Sequence, residues 1–365
     1  MKSTKILLTT AVLATSMTMT MAKEKVILDT DMVELFDDGL AMIMLANSDK
    51  VDLLGVTTVS GNTWSREGTA YAIRQLEVID RMDIPVVEGI RYPLRASRHE
   101  GIQLEQQMFG IGPSNYLGSL GYDERSTGEP KAWDAFYQKI YLEPSKMKPI
   151  ERDAVDFIID TIHKNPNEVT IAAIGPCTNI AMAIRKDPDI IPLVKRIIYM
   201  GGAFEVPGNT SPAAEFNWWF DPEAAKMCVR APFKEQIIVG LDVTDKVFVT
   251  KDRYEKMKAL PRLYPALKDM FLTSWYERKF KDPKATSYVW DLLVSAIIID
   301  PSIITESKNQ WIDVNTEYTQ DYGRSLAYTI QGPLGAQVAK VVHTINEDKF
   351  WDLTFDLIQQ PIVKK

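Results

Sequence analysis

The sequence predicts an α/β protein, a single open, mostly parallel, Rossmann-like sheet with helices on both faces. Three observations carry that expectation. Short apolar runs of strand length alternate with amphipathic stretches of helix length, the pattern of βαβ units whose parallel strands are buried on both faces. No Gly-, Pro- or Ser-rich linker and no internal repeat divides the 365 residues, so residues 23–365 are expected to form one domain. An acidic loop directly follows the first apolar run, at the place where open α/β sheets bind their ligands, beyond the carboxyl ends of the strands.

A leader precedes the fold. Lys2 and Lys5 form a basic n-region, residues 6–21 are apolar with small polar residues and no charge, and Thr20-Met21-Ala22 closes with small residues suited to a signal peptidase. Residues 1–22 therefore read as a signal peptide, and the mature protein is expected in the periplasm or outside the cell. The apolar stretch is short and rich in Thr and Ser for an anchor, so no membrane association is expected after cleavage. Apolar and β-branched runs place strands at 26–28, 53–58, 86–88, 169–174, 196–200 and 237–241. Helical patterns cover 65–82, 153–164, 179–186, 222–230 and 291–299, and a further helix-like run, 40–46, follows the acidic loop. Residues 89–148 carry Gly, Pro and mixed charge, and read as a long loop with helical pieces beside the site.

Composition narrows the function. Without Lys2 and Lys5 the chain keeps 40 basic against 49 acidic residues, a net charge that disfavours nucleic acid and anionic membranes as partners. Cys177 and Cys228 both lie in apolar contexts; export permits a disulfide, and two buried thiols are the equal alternative. With three histidines and no Cys/His cluster, zinc is not indicated.

The acidic loop holds Asp29, Asp31, Asp37 and Asp38 within ten residues. Four carboxylates so close repel one another unless protons or a cation offset the charge, which points to a hard-metal site. Helix capping would account for Asp37 or Asp38, but not for all four. Asp29-Thr30-Asp31 after a strand also fits an aspartate-nucleophile, Mg²⁺-dependent phosphatase, with Gly240-Leu241-Asp242-Val243-Thr244-Asp245 as a loose candidate for its later acidic pair. Ile174-Gly175-Pro176-Cys177-Thr178-Asn179 reads as a strand-to-helix turn in which Thr178 or Asn179 can cap. Asn209 with Glu215-Phe216-Asn217 offers amides and a carboxylate suited to sugar hydroxyls.

Taken in order, these blocks resemble the inosine–uridine-preferring nucleoside hydrolase family. The resemblance rests on Asp29-x-Asp31…Asp37-Asp38, Val56-Thr57-Thr58-Val59-Ser60-Gly61-Asn62, the Gly175-Pro176 block, Met200-Gly201-Gly202, Ala214-Glu215-Phe216-Asn217, Asp221-Pro222-Glu223-Ala224-Ala225, Gly240-Leu241-Asp242-Val243-Thr244 and Trp290-Asp291. It spans about residues 25–300 and outweighs the phosphatase reading, which explains only the first block and part of one other. A noncatalytic nucleoside- or ribose-binding protein on the same fold is the alternative from outside the enzymes.

The resemblance implies the nucleoside hydrolase fold and one Ca²⁺ held by the carboxylates of Asp31, Asp38 and Asp291 and by the carbonyl of Ile174. It implies hydrolysis of the N-ribosidic bond of ribonucleosides to free base and ribose. Asp31 would be the general base. Asp37, Asn62 and Asn217 would hold the 2′- and 3′-hydroxyls, and Asn209 and Glu215 the 5′-hydroxyl. It implies a homodimer or homotetramer. This sequence departs from the commonest family pattern twice. Five residues, not three, separate Asp31 from Asp37. Trp290 stands where the inosine–uridine branch has a histidine, and so resembles the purine-specific branch, where an indole stacks on the base; a purine preference follows.

Overall fold

The first apolar run becomes strand β1 (Glu24–Thr30), an interior strand of the large sheet. The computed structural model describes residues 22–35, 37–95, 98–109, 116–121 and 128–362; the signal peptide assigned to 1–22 lies outside them, Ala22 excepted. β1 pairs in parallel with β2 (Val51–Thr58) on one side, which pairs with β3 (Val86–Val87). On its other side β1 pairs in parallel with β4 (Val169–Ala173), followed outward by β5 (Arg196–Met200) and β6 (Gln236–Val239). A hairpin-like pair, β7 (Phe248–Thr250) and β8 (Thr286–Tyr288), forms a separate small antiparallel sheet.

The large sheet then continues through strands absent from the sequence-based expectation. β9 (Ile304–Val314), β10 (Ser325–Tyr328) and β11 (Gln337–Ile345) complete a nine-stranded sheet in the order β10-β9-β11-β6-β5-β4-β1-β2-β3. β11 is parallel to β6, and β9 is antiparallel to both β11 and β10. The first half of β9 is exposed, so Thr305-Glu306-Ser307-Lys308-Asn309 shows no apolar run to betray it. The open, mostly parallel α/β class is as expected, with an antiparallel edge added.

The order β3-β2-β1-β4-β5-β6 reverses direction between β1 and β4. At such a switch point the loops leaving the two strands diverge to opposite faces and leave a crevice. The loop after β1 carries the four aspartates, and the one after β4 begins at Ile174, whose N–H donates to Asp29 O at 2.9 Å. Strand β4 ends at Ala173, one residue before the expected end.

Two helices wall that crevice, Asp37–Asn47 and Asp291–Ile299, and every residue of both is buried. Being apolar all round, they can be stable only inside other layers. They pack together: Ser295 Oγ donates to Ala41 O at 3.0 Å. Elsewhere the helices fall close to expectation, at Ser65–Val78, Ala154–Lys164, Thr178–Lys186 and Pro222–Arg230. The first is four residues shorter than expected, and the strand expected at 237–241 gives way to one helical turn, Leu241–Thr244. Within 89–148 lie the helices Arg98–Phe109 and Trp133–Tyr141. Arg98 anchors the first: fully buried, it pairs with Glu105 and donates to the carbonyls of Trp219 and Phe220. Cys177 and Cys228 are buried free thiols. Among the described residues no helix is long and apolar enough to cross a membrane.

Candidate active site

Four carboxylates meet in the crevice. One ligand atom each from Asp37, Asp38 and Asp291 lies within 4.8 Å of the others, all three residues buried. Asp38 also sits against Asp31, so the acids form one connected group. The backbone explains the convergence: β1 delivers Asp31, while Asp37, Asp38 and Asp291 stand in the first turns of the two buried helices. Helix N-termini favour negative charge there, but four acids exceed what two termini can offset.

Asp31 is held tightly. Its Oδ2 accepts the Asn62 N–H at 2.5 Å. A Cβ at Gly61 would lie 2.2 Å from that oxygen, and one at Gly175 would lie 2.7 Å from the Asp31 nitrogen. Those two glycines, from separate sequence blocks, close around one carboxylate. Thr30 donates its hydroxyl to Asp38 Oδ1 at 2.5 Å. Asp29 stands one layer below, its Oδ1 taking the Thr57 hydroxyl at 2.5 Å and the Asn179 amide at 2.7 Å.

Burial dominates the electrostatics. It pushes the Asp31 carboxyl well above the usual range, reinforced by the charge of Asp38. Asp37 rises for the same two reasons, and Asp291 through burial and then the charges of Asp37, Asp38 and Asp31. Burial raises Asp38 to about 6 against the Thr30 hydroxyl, which favours the charged form. Meanwhile Asp31 Oδ1 and Asp38 Oδ2 are buried with no hydrogen-bond partner among the described residues. Buried polar atoms are normally satisfied. Orphaned oxygens on converging acids fit a divalent cation, and an all-oxygen donor set with a carbonyl nearby suits a hard one.

That carbonyl belongs to Ile174, which lines the same pocket. Asn217 Nδ2 donates to Ile174 O at 3.0 Å and to Met200 O at 3.2 Å. The amide nitrogen of Asn217 is thus committed to orienting backbone, leaving its Oδ1 for a hydroxyl. Glu215 is likewise doubly employed. Its carboxylate caps the helix Phe216–Phe220, accepting from the N–H groups of Asn217, Trp218 and Gly202 at 2.7–3.1 Å, while burial pushes its pKa up to about 7. Asn209 Oδ1 accepts from Phe216 N–H at 2.8 Å, which directs its NH₂ group elsewhere. Asn62, Asn209, Glu215 and Asn217 all line one cavity with Asp37 and Asp291.

The cavity encloses about 560 Å³. Acids and amides share its lining with six aromatic side chains, Tyr116, Phe216, Trp275, Tyr276, Tyr288 and Trp290; Tyr116, Trp275 and Tyr288 are exposed, while Tyr276 is buried near Asp37 and Asp291. Trp290 immediately precedes Asp291, and its ring lies 5.6 Å from that of Tyr288. Every expected site residue except Asp31 and Asp38 lines the cavity itself; those two stand just beneath, beside Asp37 and Asp291. Trp64, Trp218 and Trp219 are buried in the core.

Several supports had no sequence signal strong enough to find them. The five-residue spacer before Asp37 is stapled by Gln75, which accepts from Leu35 N–H at 3.2 Å and donates to Val33 O at 3.2 Å. Leu35 adopts φ 50°, a left-handed turn; Phe36 lies outside the described residues. Gln75 sits mid-helix, 38 positions from Asp37, and only its tertiary position reveals the role. Neither Thr178 nor Asn179 caps its helix, contrary to expectation. Thr178 donates to Asp221 Oδ2 at 2.7 Å, and Asn179 instead ties together Asp29, Thr58 O and Ile90 N–H. A burial-driven need to satisfy β-strand ends outcompetes capping there. Glu205, Asp242 and His343 form a second acid–histidine group, but Asp242 is spent on the N–H groups of Phe204 and Glu205, and Glu205 pairs with Lys308. The second half of the phosphatase pattern therefore holds a loop in place.

A switch-point pocket lined by buried acids, amides and aromatic rings suits a small molecule that carries both polar groups and a flat ring. The chain belongs to the inosine-uridine preferring nucleoside hydrolase family, whose sequence pattern matches residues 26–352. It is 32% identical over 345 residues to an uncharacterised protein of Schizosaccharomyces pombe, covering 91% of this chain and 98% of that one. It is 29% identical over 344 residues to the pyrimidine-specific ribonucleoside hydrolase RihB of Escherichia coli, covering 93% and 98%. A plant nucleoside hydrolase structure superposes with a TM-score of 0.72 at 27% identity, covering 93% and 99%. A purine-preferring ribonucleoside hydrolase from Gardnerella vaginalis shares the fold, with a TM-score of 0.70 at 23% identity over 92% and 98%. The protein is accordingly an enzyme, a nucleoside hydrolase acting on ribonucleosides.

Proposed function

We propose that this enzyme is an exported, Ca²⁺-dependent ribonucleoside hydrolase that prefers purine nucleosides. The observation that carries the metal is the pair of orphaned, buried oxygens on Asp31 and Asp38 within a group of four acids. Asp31, Asp38 and Asp291 would hold the ion with the Ile174 carbonyl, and Asp37 stands within reach. When bound, the cation supplies charge compensation and an acidified water.

The chain's own residues then divide the work. Asp31 is the proton acceptor, oriented by the Asn62 N–H that its Oδ2 accepts. Asp37, the Asn62 side chain and Asn217 Oδ1 hold the 2′- and 3′-hydroxyls. The Asn209 amide and Glu215 hold the 5′-hydroxyl. Positive charge develops at C1′ and the ring oxygen as the N-ribosidic bond lengthens, and the acid floor beneath the sugar favours it. A site built to bond hydroxyls rejects analogues lacking them, so 2′-deoxyribosides are poor substrates.

Purine preference rests on Trp290 at the aromatic end, where stacking gives about 1–3 kcal/mol per base and favours the larger ring. The named relatives point both ways, toward pyrimidine-specific and purine-preferring enzymes. The location, periplasmic or secreted, rests on the leader at 1–22, and the homodimer or homotetramer on family resemblance.

One panel tests the reading. Inosine, guanosine, adenosine, uridine, cytidine and 2′-deoxyinosine are assayed for released reducing sugar, with Ca²⁺ and with a chelator. Purine ribosides should turn over fastest, chelation should stop them, and Trp290→Ala should slow purines more than pyrimidines by roughly 5–150-fold. Chelator-resistant activity would remove the metal; equal losses in Trp290→Ala would remove the stacking role.

A further inference from the structure

Hydrolysis of a nucleoside needs help at both ends of the breaking bond, and the acid floor serves only one. The base departs with the electron pair of the C1′–N bond, so negative charge collects on it. The residue class that most often meets such charge is histidine, and among the described residues no histidine lines the pocket. Of its described lining residues one is basic: Lys279.

Lys279 lies in the chain segment that contributes Trp275 and Tyr276 to the pocket's aromatic lining. It closes the short helix Trp275–Lys279, and its ammonium lies 4.4 Å from the centre of the Trp275 ring. A cation over an indole face is held in position yet keeps its N–H donors. No ion pair engages it among the described residues: burial alone pulls the ammonium below the usual lysine range, with no carboxylate acting against that effect. Lysines elsewhere in the chain, such as Lys186, Lys195 and Lys308, are paired with acids. An unpaired, half-buried lysine in a cavity lined by no other basic side chain among the described residues is costly to keep for packing alone.

We propose that Lys279 is the general acid that protonates the departing base. The inference rests on the reading above that ribose occupies the amide and acid end and the base the aromatic end. In the step, the C1′–N electron pair passes to the base. Lys279 Nζ gives a proton to the ring nitrogen or carbonyl oxygen that carries the charge. Water oxygen bonds to C1′, and its proton goes to Asp31. The products are neutral base and ribose, and the Lys279 amine recovers a proton from solvent at the open mouth.

A pair of substrates isolates this role. Inosine needs its base protonated; 4-nitrophenyl riboside releases a phenolate that leaves unaided. Lys279→Met should lower kcat on inosine by about 10²-fold or more, the usual contribution of a general acid, and leave kcat on 4-nitrophenyl riboside within about threefold of the unaltered enzyme. Lys279→Arg, which keeps the charge but cannot give up its proton, should stay slow on inosine. An unchanged inosine rate in Lys279→Met overturns the proposal, as does an equal loss on both substrates, which would mark a structural role. If the unaltered protein cleaves neither substrate, the ribosidase reading itself fails, a result distinct from either.

Discussion

At Asp31 the two carboxylate oxygens have different fates. Oδ2 is locked by the Asn62 N–H and leaves no room for a side chain at Gly61, while Oδ1 is buried and unpartnered. An isosteric amide there keeps the packing but cannot accept a proton as the carboxylate does. Asp31→Asn should therefore reduce kcat by about 10²–10⁴-fold with an unaltered circular dichroism spectrum. Retention of more than a tenth of the activity would remove Asp31 as the base. The same logic separates Asn217 from its neighbours: its amide nitrogen shapes the Ile174 carbonyl, so it acts on the site through backbone as well as by contact.

Elements, not single residues, set the acid group. Two wholly buried helices, Asp37–Asn47 and Asp291–Ile299, bring their first turns together although some 250 residues apart. The loop that starts the first is longer than the commonest family form, and Gln75 takes up the extra length by bonding Leu35 N–H and Val33 O. Gln75→Leu leaves those groups buried and unsatisfied, at about 1–3 kcal/mol. The urea midpoint should fall accordingly, and kcat/KM with it, because Asp37 follows the loop directly. Lost stability with unchanged kcat/KM would show that the staple serves the fold alone.

Across the whole molecule, burial of acids ties stability to pH. Glu215 and Asp221 are pushed up to about 7 and about 6 by burial, against unfolded values near 4. Between those limits the folded chain binds more protons than the unfolded one, so stability falls as pH rises. The four floor acids shift in the same direction. In chelator, the urea midpoint should therefore decline from pH 5 to pH 8. With Ca²⁺ in excess the decline should flatten, since a ligand bound only by the folded state stabilises it, by about 2.7 kcal/mol at a hundredfold excess over Kd. A midpoint that rises with pH in chelator would contradict the burial argument.

Much of this protein is readable along the chain. Apolar runs mark β1, β2, β4, β5 and β6 because strands buried on both faces must be apolar throughout, and the acids, amides and Trp290 are visible as types at fixed spacings. β9 escapes notice because its exposed half needs no apolar side chains, and its place is set by pairing with β11. Sequence by itself determined the class of fold, the family and the inventory of reactive side chains, since these depend on local pattern and residue chemistry. Only the tertiary structure decided that Asp37 joins Asp38 and Asp291, that Gln75 holds the long spacer, and that Lys279 reaches the pocket. Each of those depends on residues distant in sequence meeting at one crevice, and such meetings are fixed by how the sheet and its buried helices pack.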